Sequence, residues 1–301
     1  MKDRYYWTFL DIVKDTSEPP PAIIEDGILL DETLLLIIGP PKVGKTFLAF
    51  NLATALVSGR SFACFKIRSE HKVVILSAEG GYFPNRKRIR RITKGLTKEQ
   101  LHNVSYCSNA RAKLDDEEDY EKLLEELEWI SPDVLMIDPL IRFHSVDENS
   151  SSSMAGVLGK IRELMYSVGM SVILIHHTGK QVSRGGRGSS IITGEYDSAI
   201  YMARRSNGMC ELQFDTRHVE KRPNSTVRFN PDTYWFENAE QPKSAAVKYI
   251  EEYGPTPKKD VVRALVDNRI CSQTHAYRLI QDALDREMLG VNGKELVITE
   301  E

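Results

Sequence analysis

The sequence predicts an α/β fold, a mainly parallel sheet covered by helices and followed by a small C-terminal winged helix, and three observations carry the prediction. Short apolar runs alternate with longer stretches of helical period up to about residue 238. The composition then changes at AEQPKS (239–244). Beyond that change come three helical patterns and a hairpin signal. Alternating runs of the first kind belong to sheets whose parallel strands are joined by crossover helices.

Residues 5–14 have the pattern of a short amphipathic helix, and SEPPP (17–21) is a stiff break after it, so 1–22 is an arm and linker. The core domain spans 23–238. Its strand-like runs are Leu34–Ile38, Val73–Leu76, Val134–Ile137, Val172–Ile175 and Ala199–Met202, with later strands at Glu211–Phe214, Thr226–Phe229 and Thr233–Phe236. Between them, Tyr120, Leu123, Leu124 and Leu127 recur at helical spacing, as do Met154, Val157, Leu158, Ile161 and Met165. In the tail domain, 243–299, helices are expected over Lys243–Tyr253, Pro257–Asp267 and Ser272 to about Met288. Asn292-Gly293 then sits between two short strand-like runs, as a hairpin turn requires.

With 301 residues, 41% of them hydrophobic and 28% charged, the chain has the composition of a globular protein with room for two domains. A net charge of −3 excludes a uniformly basic coat but leaves local basic surfaces open. Cys64, Cys107, Cys210 and Cys271 are too scattered for a zinc site or a disulfide framework. No apolar run is long enough to span a bilayer, and no signal peptide is read at the N-terminus, so a cytoplasmic location is expected.

The chemistry begins at GPPKVGKT (39–46), which follows LLLII and opens FLAFNLATAL. Gly39, Gly44, Lys45 and Thr46 satisfy the spacing GxxxxGK[ST] between a strand and a helix. Backbone N–H groups from Gly39, Pro41's successors Lys42 and Val43, Gly44, Lys45, Thr46 and Phe47 are expected to surround phosphate oxygens, with Pro40 and Pro41 shaping the turn. Lys45 would neutralise β- and γ-phosphate charge, and the Thr46 hydroxyl would hold Mg²⁺. In VLMIDP (134–139), Asp138 ends a fully apolar strand, where a carboxylate is costly unless it faces an ion. The other reading of Asp138 is a cap on the next turn. Glu79, in SAEG beyond the run Val73–Leu76, is placed to polarise an attacking water or else is a loop acid.

Taken together, GPPKVGKT, SAEG, DPLIRFHSVDEN and HHTGK…RGSS resemble the RepA-type branch of the RecA-like P-loop ATPases, a branch that includes hexameric plasmid replicative helicases. The resemblance covers roughly residues 20–237 and implies ATP and Mg²⁺ as ligands. It puts Lys45 and Thr46 on the Walker A positions, Asp138 on Walker B and Glu79 on the catalytic glutamate. His177 falls on a γ-phosphate sensor at a strand end. The basic loop after it, with Lys180, Arg184 and Arg187, falls on a segment that lines the channel of a ring or filament and meets nucleic acid. Arg217 resembles an arginine finger that enters the neighbouring subunit's site, with Arg222 as the second choice. Asp215 stands where relatives often have lysine.

Two features stay open in the sequence. RKRIRRITK (86–94) holds six basic residues and no acid, which suits nucleic acid, a neighbouring subunit or a solvated helix face. The tail from 241 to 301 has nine Lys/Arg against ten Asp/Glu, so it is not a strongly basic module. Even so, Ser272, Gln273, Thr274, His275 and Arg278 at the start of its third helix are residues that can meet a DNA groove. The expected function is an ATP-hydrolysing motor on single-stranded DNA, a ring-forming (hexameric) or filamentous replicative helicase or translocase. The alternative is an ATP-switched loader that binds duplex DNA or a protein partner through the winged helix.

Overall fold

The computed structural model describes residues 6–108, 110–177, 192–205, 208–219, 222–239, 244–285 and 288–299. Two compact units are present, one formed by Met1–Arg222 with Val227–Glu237 and one by Pro223–Thr226 with Asn238–Glu301.

The larger unit is built on a sheet. Its strands are β1 (Leu34–Gly39), β2 (Val73–Ser77), β3 (Val104–Ser108), β4 (Val134–Asp138), β5 (Ser171–His177), β6 (Ser198–Arg204), β7 (Met209–Thr216), β8 (Ser225–Phe229) and β9 (Phe236–Asn238). They lie in the order β3-β2-β4-β5-β1-β6-β7-β8-β9. From β3 to β6 every neighbouring pair is parallel, and β7 then runs antiparallel to β6. All residues of β1, β2 and β4 are buried, because helices cover both faces.

Alternation along the strands divides the core in two. Leu35, Ile37, Ile75, Met136 and Ile175 face α2 (Lys45–Ser58), which is accompanied by α3 (Tyr82–Ile92) and α4 (Lys98–His102). Leu36, Ile38, Leu76, Ile137 and Leu174 face α5 (Glu117–Ile130) and α6 (Ser151–Val168). The caps explain where these helices start. Asp116 accepts from the Asp119 N–H ahead of α5, and Ser150 accepts from the Ser153 N–H ahead of α6. α7 (Ile192–Glu195) precedes β6, and the N-terminal α1 (Phe9–Lys14) has no buried residue.

Several elements differ from the sequence reading, each for a local reason. α1 starts at Phe9 because Thr8 and Asp11 form a reciprocal capping box. β3 has no apolar run to announce it: VSYCS lies at the sheet edge and is largely half-buried. No strand covers Thr233–Trp235, because the Asn230 side chain accepts from the N–H groups of Asp232 and Thr233 and holds a turn; β9 begins only at Phe236.

In the smaller unit, α8 (Ala245–Tyr253), β10 (Thr256–Pro257), α9 (Lys258–Asp267), α10 (Gln273–Asp285), β11 (Leu289–Asn292) and β12 (Glu295–Ile298) follow in order. The strands form an antiparallel sheet, β10-β12-β11, beside a core of Val247, Ile250, Val261, Leu265, Ile280 and Leu296. Ser244 caps α8. Pro257 pairs in β10 and precedes α9, and Met288 lies outside α10, so the predicted helices shorten at these points. Among the described residues, no helix is long and apolar enough to cross a membrane.

Asn51, buried in α2, ties that helix to the strip before β9: its amide donates to the Tyr234 carbonyl (3.0 Å) and accepts from the Phe236 N–H (2.9 Å). Asn51→Ala leaves both backbone groups without their partner, and denaturant unfolding should show a loss of about 1–3 kcal/mol. A loss under about 0.5 kcal/mol would show that these bonds are replaced by water.

Candidate nucleotide site

The C-terminal ends of β1, β2, β4 and β5 lie side by side, and the loop from Gly39 to Gly44 leaves that edge to start α2. Two residues of the loop have left-handed backbone, Lys42 (φ 65°) and Gly44 (φ 109°). A Cβ on Gly44 would lie 2.8 Å from the Phe236 ring, and one on Gly39 would lie 2.7 Å from the Met202 carbonyl oxygen. Glycine is therefore required at both places by space, and at Gly44 also by conformation. Val43 is in the core, and the Lys42 carbonyl accepts a hydrogen bond from Arg204 (2.9 Å). Pro40 and Pro41 complete the turn, the Pro40 carbonyl facing inward to Lys45.

Lys45 is only 4% exposed. Its ammonium donates to the carbonyls of Gly39 (2.7 Å) and Pro40 (3.0 Å). Burial lowers its pKa to about 8, with Asp138 and Glu79 opposing the shift. Across the edge, Asp138 is 3% exposed, and burial pushes its pKa up to about 6 against the hydrogen bond from Thr46 and the charges of Lys45 and Arg88. A cation short of counter-charge and a carboxylate short of solvation, the latter hydrogen-bonded by Thr46, fit a magnesium-bound triphosphate: phosphate would supply charge to Lys45, and the metal would supply it to Asp138. Phe47 contributes no side chain to this edge. Its ring packs on Phe229 (4.7 Å between centroids) and Tyr234 (5.4 Å), which leaves only its backbone N–H for a phosphate.

Glu79 follows β2 on the same edge. Its carboxylate lies 4.0 Å from His177 Nε2 and 3.8 Å from Arg142 Nε. The backbone beneath it is held by fully buried Asn85, whose amide donates to the Glu79 carbonyl (2.9 Å) and to the Tyr106 hydroxyl (2.7 Å). The Ser77 hydroxyl donates to the same carbonyl (3.2 Å). His177, the last residue of β5, pairs in register with Gly39 of β1, so it sits at the mouth of the phosphate loop. Burial, and next the charge of Lys45, lowers its pKa, with Glu79 and Glu148 opposing the shift.

Arg217 is elsewhere. It follows β7, whose Thr216 pairs with Ser198, and Ser198 pairs with Leu35 near the start of β1. That is four residues back from Gly39, roughly 13 Å along the strand. There Arg217 donates to the Gly194 carbonyl, and its guanidinium lies 5.8 Å from the Tyr196 ring centre. Asp215 accepts from the Tyr196 hydroxyl (2.6 Å). Arg222 is engaged within its own unit, donating to the Cys64 carbonyl and lying over the Phe214 ring at 4.4 Å. Lys180, Arg184 and Arg187 lie outside the described residues. Arg278 is exposed on α10, 3.4 Å from His275 Nδ1.

The sequence reading missed three members of this site. Arg88 acts on Asp138, is hydrogen-bonded to Asn85 (2.9 Å) and stacks over Phe47 at 5.0 Å. It was hidden in the basic run 86–94. Arg142 lies within DPLIRF, where no spacing rule marks it. Asn85 had no signal beyond being a buried polar residue in a helix.

A family model described as an AAA domain (AAA_25) matches residues 3–183, more than half of the chain. The chain belongs to this AAA domain family. Among solved structures, this AAA domain protein resembles the ATPase domain of G40P (TM-score 0.53, 15% identity), with 69% of this chain and 85% of that one covered. It also resembles the RadB recombinase (TM-score 0.50, 17% identity, 70% and 92%). A third likeness is to a DnaB-like replicative helicase solved with regard to its interactions with primase (TM-score 0.52, 16% identity, 69% and 58%). Identities this low speak to fold, and the fold is that of a RecA-like P-loop ATPase.

Gly44→Ala adds a methyl against Phe236 in a left-handed backbone. Titration of the variant with ADP should show affinity reduced by about tenfold or more, since about 1–2 kcal/mol of strain is set at the loop itself. Affinity equal to the wild type would show that the loop re-forms around the methyl and that its shape is not what holds phosphate.

Proposed function

We propose that this AAA domain protein is an ATP- and Mg²⁺-dependent nucleic-acid motor of the RepA-type branch. In this reading copies of the chain assemble into a ring, a hexamer, or a filament, and act as a replicative helicase or translocase on single-stranded DNA. The observation that carries it is the convergence of Lys45, Thr46, Asp138, Glu79 and His177 on one edge of the sheet.

Each residue has a role that its position supports. The N–H groups from Gly39 to Phe47 and the Lys45 ammonium hold the triphosphate. Thr46 and Asp138 would hold magnesium, which neutralises phosphate charge when bound. Glu79 orients the attacking water and takes its proton. His177 hydrogen-bonds at the γ-phosphate, and the basic residues Lys180, Arg184 and Arg187, directly after β5, meet the DNA backbone. Arg217 serves a neighbouring copy: at the far end of its own sheet, it can stabilise transition-state charge only in trans. Two fold neighbours, a replicative helicase and a recombinase, are in keeping with work on DNA.

The C-terminal unit has the element order of a winged helix, with Ser272, Gln273, Thr274 and Arg278 exposed where α10 begins. Its balance of nine basic against ten acidic residues favours the second reading for this unit, a loader module that binds a protein partner or a short duplex.

Steady-state ATP hydrolysis without DNA, with single strands and with duplex tests the proposal. Single strands should stimulate turnover strongly. Glu79→Gln should reduce it by about 100-fold or more, and neutralising Lys180, Arg184 and Arg187 should weaken the stimulation. Slow hydrolysis indifferent to every nucleic acid would remove the motor reading, and a response to duplex alone would favour the loader.

A further inference from the structure

The end of β5 carries two imidazoles on opposite faces. His177 shares its face with Ile175, toward α2, and meets Glu79. His176 shares its face with Leu174, toward α5 and α6, and is buried. On that side it does not simply pack against apolar residues. Its Nδ1 lies 3.8 Å from Glu148 Oε1, and the same oxygen lies 3.7 Å from Nε2 of buried His144. Two imidazoles therefore share one carboxylate oxygen beneath the nucleotide edge.

Both nitrogens of His144, Nδ1 of His176 and Oε1 of Glu148 are buried without a hydrogen bond among the described residues. Buried polar atoms in this state are uncommon and costly, and four in one cluster ask for a reason. A carboxylate facing two ring nitrogens stabilises the proton on each of those nitrogens, so it sets the tautomer and orientation of both rings. At 3.7–3.8 Å the contacts are longer than hydrogen bonds, and a shift of under about 1 Å closes either one into a charge-assisted bond to the carboxylate.

The segment that brings Glu148 is itself anchored. It begins directly after Asp138, passes through a 3₁₀ turn at Leu140–Arg142, and ends at the cap of α6. Leu140 and Phe143 are fully buried. The Lys113 ammonium donates to the carbonyls of Arg142 (2.8 Å) and His144 (3.2 Å), and the Leu114 N–H donates to the Phe143 carbonyl (2.7 Å). The Ser145 N–H donates to the Asp115 carboxylate (2.9 Å). Thus one strip, anchored over Leu140–Ser145, presents Arg142 to Glu79 and Glu148 to His176. A displacement of His176 passes through one peptide unit to His177, because neighbouring strand residues are locked on opposite faces.

We infer that Glu148 is a positioning residue for ATP hydrolysis: through the buried imidazole of His176 it fixes the end of β5, and so the placement of His177 against Glu79. The inference rests on the proposed function, since it needs His177 to act at the γ-phosphate. Glu148 itself touches neither phosphate nor water in the reaction.

The test is steady-state hydrolysis by the full chain carrying Glu148→Gln, Glu148→Asp, His177→Asn and the double variant Glu148→Gln/His177→Asn, with ADP binding measured alongside. Glu148→Gln should lower kcat by about tenfold while KM and ADP affinity stay within about twofold of the wild type. Glu148→Asp should recover part of the rate. The double variant should be no slower than His177→Asn alone, because both changes act on one group. An unchanged kcat in Glu148→Gln, or losses that multiply in the double variant, would overturn the inference while leaving the ATPase reading in place. Parallel loss of ADP binding or of folding in Glu148→Gln would also overturn it, by showing a structural role; His176→Asn, assayed in the same way, guards against a failure peculiar to the Gln side chain. A wild type that does not hydrolyse ATP would remove the proposed function itself.

Discussion

A lysine and an aspartate buried together at one edge of a parallel sheet set the terms for everything around them. Lys45 is satisfied by two backbone carbonyls, and Asp138 by the Thr46 hydroxyl. Burial shifts each toward its neutral form, Lys45 to about 8 and Asp138 to about 6. Such an arrangement is poor for stability and good for binding, because a ligand carrying both negative charge and a divalent ion relieves both groups at once. The left-handed turn at Gly44, the absence of side chains at Gly39 and Gly44, and the packing of Phe236 against the loop all keep backbone N–H groups at that edge.

The sheet is what brings distant residues to this edge. Parallel strands end on the same side, so residues after β1, β2, β4 and β5 meet although they lie from position 39 to 177 in sequence. Antiparallel β7 delivers Arg217 to the other end. The same topology therefore separates the Lys45–Asp138 edge from Arg217, which in the proposed reaction would act on a neighbouring copy. Strand alternation adds a second division: at the end of β5, His177 serves the nucleotide face and His176 the face of the strip from 139 to 150.

Much of this was legible in the sequence, for identifiable reasons. Buried parallel strands announce themselves as apolar runs, and β1, β2, β4, β5 and β6 were found in this way. The phosphate loop has a fixed spacing because its geometry allows few others. Edge strand β3 was not legible, since a half-buried VSYCS carries no periodic signal. The turn at 230–234 was not legible either, because Asn230 overrides the strand preference of Thr, Tyr and Trp. Asn85, Arg88, Arg142 and Glu148 share a further property. Each matters through its partners across the fold (the Glu79 carbonyl, Asp138, the Glu79 carboxylate and His176), and no local pattern encodes a partner 6 to 63 residues away.

The most direct measurement of the central claim is equilibrium binding of a non-hydrolysable ATP analogue to the wild type and to Asp138→Asn, with and without magnesium. If the buried pair is a site for metal-bound triphosphate, magnesium should strengthen binding to the wild type. Asp138→Asn should lose that strengthening and keep its magnesium-free affinity. An Asp138→Asn protein that responds to magnesium as the wild type does, or a wild type that does not bind the analogue, would contradict the account.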